Sequence, residues 1–446
     1  MNPLNRRKFF GTAALATPLL TSGAAAAEAA STTTAGTGSR VAPDGAGSGA
    51  AGLPGAAVRC GADLLAAQRW RPLAGHRVGV LTNPTGVLAD LHHIVDDMAA
   101  AGVTPVAVFG PEHGFRGTAQ AGGSEGGYTD PRTGITVYDA YNVTADKLAA
   151  MYRKAGVDTV VFDIANVGAR FYTYTWTMYV AMHAAAITGA SFTVLDRPNP
   201  VGGRANGPML EQRYSSLVGL KPVVQQPGMT SGELARMFDA EFLPADTGGR
   251  RVSQLDIVAV RGWRRDTLFA ETGLQWVPPS PNMPTPDTAL LYPGTCLFEG
   301  TVLAEGRGTT RPFELIGAPG IDWRWAERLN TAGLPGVVFR ESYFAPTAGK
   351  FVGQTCGGVQ VHLTDRGAID AIRTAVTMIV TAKRLYPKVF AWREDNWIDK
   401  LSGSDRLRRM VDRGEGVDDV VDAWQAELAG FDRLRRRYLI YEGGRP

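Results

Sequence analysis

Between Arg77 and Asp196 the sequence alternates short runs of consecutive apolar residues with longer segments of helical character. The apolar runs lie in "RVGVLTN", "VTPVAVFG", "VDTVVFDI" and "SFTVLD", and "LDIVAVRGW" adds one more. A strand that is apolar on both faces is typical of a parallel sheet covered by helices on both sides, because a half-exposed strand would alternate. The pattern therefore predicts an α/β fold with a Rossmann-like, mostly parallel sheet.

Helical segments separate these runs. The segment "TADKLAAMYRKAG" is predicted to be a helix that Thr144 caps and Gly156 ends, and "YTYTWTMYVAMHAAAITGA" a second one. "ADLHHIVDDMAAAG" is read as a helix closed by Gly102, and "TSGELARMFDAEF" as one that begins at Ser231. Helices between parallel strands are the crossovers that such a sheet requires.

A proline-dense stretch, "VPPSPNMPTP", interrupts the periodic pattern. Proline lacks the backbone N–H that helices and sheets need, so the stretch is predicted to link two domains. We expect a Rossmann-like catalytic domain over residues 58–284 and a smaller C-terminal α/β domain over 285–446. The smaller domain contains a predicted strand in "GVQVHLTD" and a long helix in "AIDAIRTAVTMIVTAKRLYP".

The first residues resemble an export signal. Arg6 and Arg7 precede Phe9, Phe10 and a short apolar run, and small residues follow in "AAAAEAA". The apolar run is too short for a permanent membrane span, so residues 1–30 are predicted to be a twin-arginine signal peptide that the Tat export machinery recognises. Residues 31–57 are rich in Gly, Ser and Ala and are predicted to be a flexible spacer. The expected location is extracytoplasmic.

Composition excludes some classes of protein. The chain has 446 residues, and its 46 basic and 43 acidic side chains are too evenly balanced for a nucleic-acid-binding surface. Its three cysteines, Cys60, Cys296 and Cys356, have no metal-ligand spacing and are predicted to be small buried hydrophobes, although one disulfide remains open.

Polar, glycine-rich loops follow four successive predicted strands. Ligands of an open parallel sheet bind beyond the carboxyl ends of the strands, so four such loops in register indicate a polar cleft. The glycines allow the backbone to approach a ligand, and a carboxylate such as Glu112 could act as an acid or base there, although pairing with Arg116 across a turn explains it equally well. The candidate residues in these loops are Asn83, Glu112, His113, Arg116, Asp163, Arg170, Tyr172 and Asp196.

A second polar cluster follows the proline-dense stretch. It contains Asn282 in "PSPNMPT", then Glu299, Glu305 and Arg307 in "FEGTVLAEGRGTT". Two glycine-rich loops that carry carboxylates, from separate parts of the chain, favour a mechanism with two carboxylates. The aromatic residues of "RFYTYTWTMY" suit a sugar, which has apolar C–H faces and a polar rim.

Other chemistries lack their motifs. The first strand is followed by "TNPTG" instead of a dinucleotide-binding GxGxxG, and neither a phosphate-binding loop nor a GxSxG nucleophile elbow is present. No cluster of residues has the spacing of metal ligands. We therefore expect no cofactor and no metal.

The motifs "LTNPTG", "FGPEHGFRG", "FDIANVGARFYTYTWTM", "LDRPNPVGG", "GMTSGELA", "SPNMPT", "YPGTCLFEGT" and "EGRGTTRPFE" occur in this order. Together they resemble the exo-β-N-acetylmuramidases of the NamZ type, glycoside hydrolase family 171, formerly a domain of unknown function. The resemblance extends from about Cys60 to Tyr441. It implies release of N-acetylmuramic acid (MurNAc) from the non-reducing end of peptidoglycan fragments, such as muropeptides or a MurNAc-GlcNAc disaccharide, in a cleft between two domains.

With this resemblance, Glu112 and Glu305 become the candidate catalytic pair, since glycoside hydrolysis needs an acid and a second carboxylate. Glu112 is favoured as the general acid because Phe115 would partly desolvate it. The lactyl carboxylate of MurNAc calls for a cation, for which Arg116, Arg170 and Arg307 are the candidates. Hydrogen-bond partners of the acetamido group and ring hydroxyls are expected among Asn83, Asp163, Asp196 and Asn282, for which capping and turn roles are nearly as well supported.

Two alternatives remain open at this stage. One is a β-N-acetylglucosaminidase, in which the arginines would be structural. The other is a non-catalytic extracytoplasmic protein that binds muropeptides or sugars. Hydrolysis of muramyl and glucosaminyl glycosides distinguishes the three.

Overall fold

The computed structural model describes residues 58–443. The predicted signal peptide and spacer lie outside the described residues. The strands are β1 (Val78–Thr82), β2 (Ala107–Gly110), β3 (Tyr128–Thr129), β4 (Thr136–Asp139), β5 (Thr159–Asp163), β6 (Ser191–Leu195), β7 (Asn206–Met209), β8 (Val224–Gln226), β9 (Leu255–Val258), β10 (Leu315–Ala318), β11 (Val337–Phe344) and β12 (Cys356–Leu363).

The α-helices are α1 (Gly61–Ala66), α2 (Ile94–Ala100), α3 (Ala145–Ala155), α4 (Tyr174–Thr188), α5 (Ser231–Met237), α6 (Leu243–Thr247), α7 (Pro286–Thr295), α8 (Arg324–Asn330), α9 (Ala371–Leu385), α10 (Trp397–Ser402), α11 (Arg406–Asp412), α12 (Val417–Asp422) and α13 (Gln425–Arg435). A π-helical segment, Phe238–Phe242, joins α5 to α6. Short 3-10 segments are Arg71–Leu73, Gln212–Tyr214, Phe269–Glu271, Cys296–Gly300 and Arg436–Tyr438. Among the described residues, no helix combines the length and apolar character needed to cross a membrane.

The main sheet has the strand order β3-β4-β2-β1-β5-β6-β9. All its strand pairs are parallel except β3 with β4. The chain first adds strands on one side of β1 and then on the other, which is the doubly wound arrangement. Every residue of β1, β2 and β5 is buried, so the predicted parallel sheet is confirmed.

Both faces of this sheet pack into apolar cores. One face contributes Val80 and Val108 to a cluster with α1 and α2, and the other contributes Phe109 and Phe162 to the largest cluster, with α3 and α4. The largest cluster continues into the chain beyond residue 285, where β10, β12 and β11 form an antiparallel sheet with α8 and α9. The proposed boundary at residue 284 stays a prediction.

One helix begins later than its sequence pattern predicts. The segment after Ala89 becomes helical only at Ile94, and His93 caps it by accepting a hydrogen bond from the Val95 N–H at 3.2 Å. An imidazole nitrogen serves here as the capping acceptor, a role that Ser, Thr, Asn or Asp usually fills. The three cysteines are buried and unpaired.

Candidate active site

A cavity of about 410 Å³ collects polar and aromatic side chains from both halves of the chain. Six of the sequence-predicted site residues line it: Glu112, His113, Tyr172, Asn282, Glu305 and Arg307. Its other walls include Tyr141, Phe171, Thr173, Leu217, Tyr292, Glu299, Lys350, Arg393 and Trp397. The volume lies in the range of sites for small molecules.

Glu112 enters the cavity from the loop after β2. Its Oε1 accepts a hydrogen bond from the Gly122 N–H at 2.8 Å, and its Oε2 accepts one from the Thr173 hydroxyl at 2.7 Å. Thr173 is the residue directly before α4, but its hydroxyl does not cap the helix. It donates to Glu112 instead. Two neutral donors therefore orient this carboxylate.

The loop that follows Glu112 is held in place by Glu125. This carboxylate accepts hydrogen bonds from the backbone of Arg116 and Thr118 and from the Tyr128 hydroxyl. Gly114 has φ +89°, and a Cβ there would lie 2.1 Å from the Glu125 side chain. The loop therefore requires glycine at this position. It brings the Gly122 N–H back to Glu112.

Phe115 does not cover Glu112 as the sequence analysis expected. It is absent from the cavity wall, is buried in the core on the α1 and α2 side, and contacts the His93 ring edge-on with 5.0 Å between centroids. The partial desolvation expected for Glu112 therefore does not come from this ring.

Glu305 enters from the second half of the chain. Its side chain is 6% exposed, and its Oε2 lies 2.8 Å from Lys350 Nζ while its Oε1 lies 3.4 Å from Arg307 Nε. Lys350 directs its hydrogen bonds to the carbonyls of Phe298 and Leu303, so it acts on Glu305 through charge. Two cationic side chains therefore lie beside the Glu305 carboxylate.

A second carboxylate, Glu299, lies in the same cluster. Arg307 Nη2 donates to its Oε1 at 2.6 Å. Burial raises the pKa of Glu299, the Arg307 charge lowers it, and nearby Glu305 raises it, with an upward net direction. Burial lowers the pKa of Arg307, but the nearby Glu299 carboxylate raises it, and the net direction is upward. The guanidinium therefore stays charged.

Aromatic side chains form much of the cavity wall. Tyr172 meets Tyr292 edge-on at 5.7 Å between centroids, and Tyr292 meets Phe313 in the same way at 4.8 Å. The proline-dense stretch closes another side, where the Tyr174 hydroxyl donates to the Pro279 carbonyl at 2.7 Å. Ser280 and Asn282, which follow Pro279, are part of the cavity wall.

Five predicted site residues lie elsewhere. Asn83 is buried and forms a turn with Thr85, and its amide nitrogen is 3.4 Å from the Pro279 carbonyl. Arg116 donates to Asp96 and Asp130 on the other side of its loop, each at 2.9 Å. The structure therefore does not bring these two side chains to the cavity, because each one is used to hold a loop.

The other three predicted site residues, Asp163, Arg170 and Asp196, are buried and form contacts inside the protein. Asp163 pairs with Arg197 at 2.5 Å, and burial raises its pKa despite this cation. Burial also raises the pKa of Asp196 to about 6, while hydrogen bonds from Tyr441, Thr230 and Gly232 oppose the rise. The Arg170 guanidinium is fully buried and donates to backbone carbonyls, at 2.6 Å in the case of Leu401.

Sequence reasoning missed several wall residues. Lys350, Arg393 and Trp397 lie in segments without a motif that pointed to chemistry. In the structure a Cβ on Gly308 would lie 2.2 Å from the Ala348 backbone, so this glycine lets the 345–350 segment pack against the Glu305 loop. A single sequence does not show that contact. Within residues 58–443 no group of His, Cys, Asp and Glu side chains has the arrangement of a metal site.

Comparison with known proteins gives consistent matches. Residues 78–287 match the N-terminal domain of the exo-β-N-acetylmuramidase NamZ family, and residues 290–441 match its C-terminal domain. The chain is 43% identical over 388 residues to the peptidoglycan β-N-acetylmuramidase NamZ of Bacillus subtilis strain 168, covering 86% of this chain and 91% of that protein.

Two solved structures are also similar. One DUF1343-family protein of Bacteroides fragilis superposes with a TM-score of 0.78 at 33% identity, covering 86% of this chain and 99% of that one. A second protein of that family and organism gives a TM-score of 0.69 at 28% identity, covering 87% of this chain and all of that one.

Proposed function

Because this chain belongs to the NamZ family of exo-β-N-acetylmuramidases and is a glycosidase acting on peptidoglycan, we propose that Glu112 and Glu305 are its two catalytic carboxylates. The observation that carries this proposal is that both line one cavity, although they come from loops on opposite sides of the proline-dense stretch. The product would be MurNAc, released from the non-reducing end of a peptidoglycan fragment.

The surroundings of the two carboxylates favour different roles. Glu305 lies beside the cationic groups of Lys350 and Arg307, and we assign it the second role, attack on the anomeric carbon or activation of water. Glu112 is held by the Thr173 hydroxyl and the Gly122 N–H. These two donors can stabilise the carboxylate that is left after a proton has moved from Glu112 to the leaving oxygen.

The remaining wall suits one sugar ring. Tyr172, Tyr292 and Trp397 offer apolar faces, while Asn282 and His113 offer hydrogen-bonding groups. Arg116 and Arg170 donate hydrogen bonds to groups outside the cavity. The candidates for binding the lactyl carboxylate are therefore the cationic side chains on the cavity wall.

The test is hydrolysis of chromogenic muramyl and glucosaminyl glycosides by Glu112→Gln and Glu305→Gln. Each change should lower kcat on the muramyl substrate by about 100-fold or more, the usual contribution of acid–base catalysis. Glu314→Gln is the matched control, since Glu314 is buried beyond the same loop and outside the cavity. Losses within about tenfold for both catalytic variants would contradict the proposal, and binding without hydrolysis by the unaltered protein would favour a sugar-binding function.

We also propose that the chain is exported through the Tat pathway. The support is the Arg6 and Arg7 pair before Phe9 and Phe10, together with a substrate that belongs to the cell wall. Replacing both arginines by lysine should retain the full-length protein in the cytoplasm of a Tat-competent bacterium. Undiminished export of that variant would contradict this assignment.

A further inference from the structure

The cavity wall carries three cationic side chains, Arg307, Lys350 and Arg393, and they differ in which carboxylates lie close enough to pair with them. Arg307 contacts both Glu299 and Glu305, and Lys350 contacts Glu305. The nearest acid to Arg393 is Asp395, at 2.7 Å, a residue that is not part of the wall and is 50% exposed. An exposed pair of this kind is weak, so Arg393 is the wall cation whose charge the cavity itself leaves uncompensated.

Arg393 is fixed in place by the fold. Its backbone N–H donates to the Gly300 carbonyl at 3.0 Å, and one guanidinium nitrogen lies 3.4 Å from the Glu299 carbonyl. A Cβ on Gly300 would lie 2.6 Å from Ile398 Cα, so a glycine lets α10 pack closely on the segment that carries Glu299. The guanidinium is therefore held next to the predicted catalytic cluster before any ligand binds.

Trp397 completes this part of the wall. The Arg393 guanidinium carbon lies 5.4 Å from the centre of its ring, and Lys400 Nζ lies 5.1 Å from the same centre. The two cations restrain the indole, and the indole restrains Arg393. Two nitrogens of the Arg393 guanidinium contact the Glu299 carbonyl and Asp395. Because a guanidinium has about five N–H donors, others remain free to bind a ligand.

We propose that Arg393, supported by Trp397, binds the lactyl carboxylate of MurNAc and thereby determines the preference for muramyl over glucosaminyl sugars. This inference rests on the proposed function of the same cavity. A guanidinium binds a carboxylate through a planar, charge-assisted pair, whereas the glucosaminyl sugar presents only a neutral hydroxyl at that position. Specificity then follows from a contact that one substrate makes and the other cannot.

The experiment measures kcat/KM of Arg393→Met on chromogenic muramyl and glucosaminyl glycosides. Loss of a charge-assisted contact should lower the muramyl value by roughly 10- to 100-fold and leave the glucosaminyl value within about threefold. Arg393→Lys should be intermediate, because a lysine keeps the charge and loses the planar fork. Asp395→Asn, which removes the competing carboxylate, should lower KM for the muramyl substrate.

Arg409→Met is the control, since Arg409 forms an exposed pair with Asp405 outside the cavity. Equal losses on both substrates in Arg393→Met would mean a structural role and would overturn the inference, as would an unchanged preference. Either result leaves the proposed function standing if the unaltered enzyme still cleaves the muramyl glycoside. Failure of the unaltered enzyme to cleave it would instead refute the proposed function.

Discussion

Replacing Thr173 by valine removes one of the two hydrogen-bond donors to the Glu112 carboxylate. The Thr173 hydroxyl lies 2.7 Å from Glu112 Oε2, and the Gly122 N–H lies 2.8 Å from Oε1. Valine has nearly the same shape as threonine and no O–H. The change therefore tests the hydrogen bond and leaves the packing at the start of α4 in place.

The size of the effect follows from when the bond is strongest. If Glu112 is the general acid, it becomes negatively charged as the leaving oxygen is protonated, so both donors bind the transition state more strongly than the ground state. A hydrogen bond to a charged group contributes about 1.5–3 kcal/mol. With the Gly122 donor retained, we expect kcat to fall by roughly 10- to 100-fold and KM to change little.

The assay is steady-state hydrolysis of a muramyl glycoside, with thermal unfolding measured in parallel. Thr177→Val is the matched control, because Thr177 lies one turn further along α4 and donates its hydroxyl to the Thr173 carbonyl at 3.2 Å. Its kcat should stay within about threefold, a change too small for the loss of a charge-assisted bond. A similar small loss in Thr173→Val, or an equal loss in both variants, would refute the reasoning.

Three further predictions concern stability and specificity. Burial lowers the pKa of His93 to about 4, whereas a histidine in the unfolded chain titrates near 6.5. As pH falls, the unfolded state therefore binds a proton before the folded state does, and about 3 kcal/mol of the stability present above pH 6.5 should be lost as pH falls through 4. Urea titrations of the unaltered protein and of His93→Asn should show this difference. Arg116→Met should destabilise the fold by roughly 2–4 kcal/mol, because the buried Asp130 loses its cation while Asp96 keeps Arg132. The muramyl preference should stay unchanged in the glycoside assay. Gly300→Ala should lower the melting temperature and the muramyl kcat/KM together, because its Cβ would displace Ile398 and the wall beside it. The first expectation fails if the stability difference between the unaltered protein and His93→Asn does not change with pH. The second fails if Arg116→Met alters the preference for the muramyl sugar, and the third fails if Gly300→Ala leaves the melting temperature unchanged.

The main sheet could be predicted from the sequence because burial on both faces leaves a direct record in consecutive apolar residues. The runs around Val80, Val108 and Val161 became the central strands. Strands β3 and β4 are short and partly exposed, and β7 and β8 are only four and three residues long, so none of them leaves a long apolar run in the sequence. The start of α2 was misplaced because a histidine cap has no strong sequence signal.

The site was predicted in part for a related reason. Glu112, Asp163 and Asp196 all lie at or just beyond the ends of strands and look alike in sequence, yet of the three only Glu112 lines the cavity. Asp196 is bound by Tyr441, far along the chain, and a single sequence contains no record of that contact. Lys350 and Arg393 were missed for the same reason, since the loop packing that brings them to Glu305 and Glu299 is long-range.

The most direct test of the two-carboxylate mechanism is a crystal structure of Glu112→Gln with a MurNAc-GlcNAc disaccharide bound. We expect the muramyl ring to lie in the cavity, with the amide that replaces the Glu112 carboxylate near the glycosidic oxygen and Glu305 facing the anomeric carbon. A disaccharide bound with its glycosidic bond away from either side chain would contradict the mechanism.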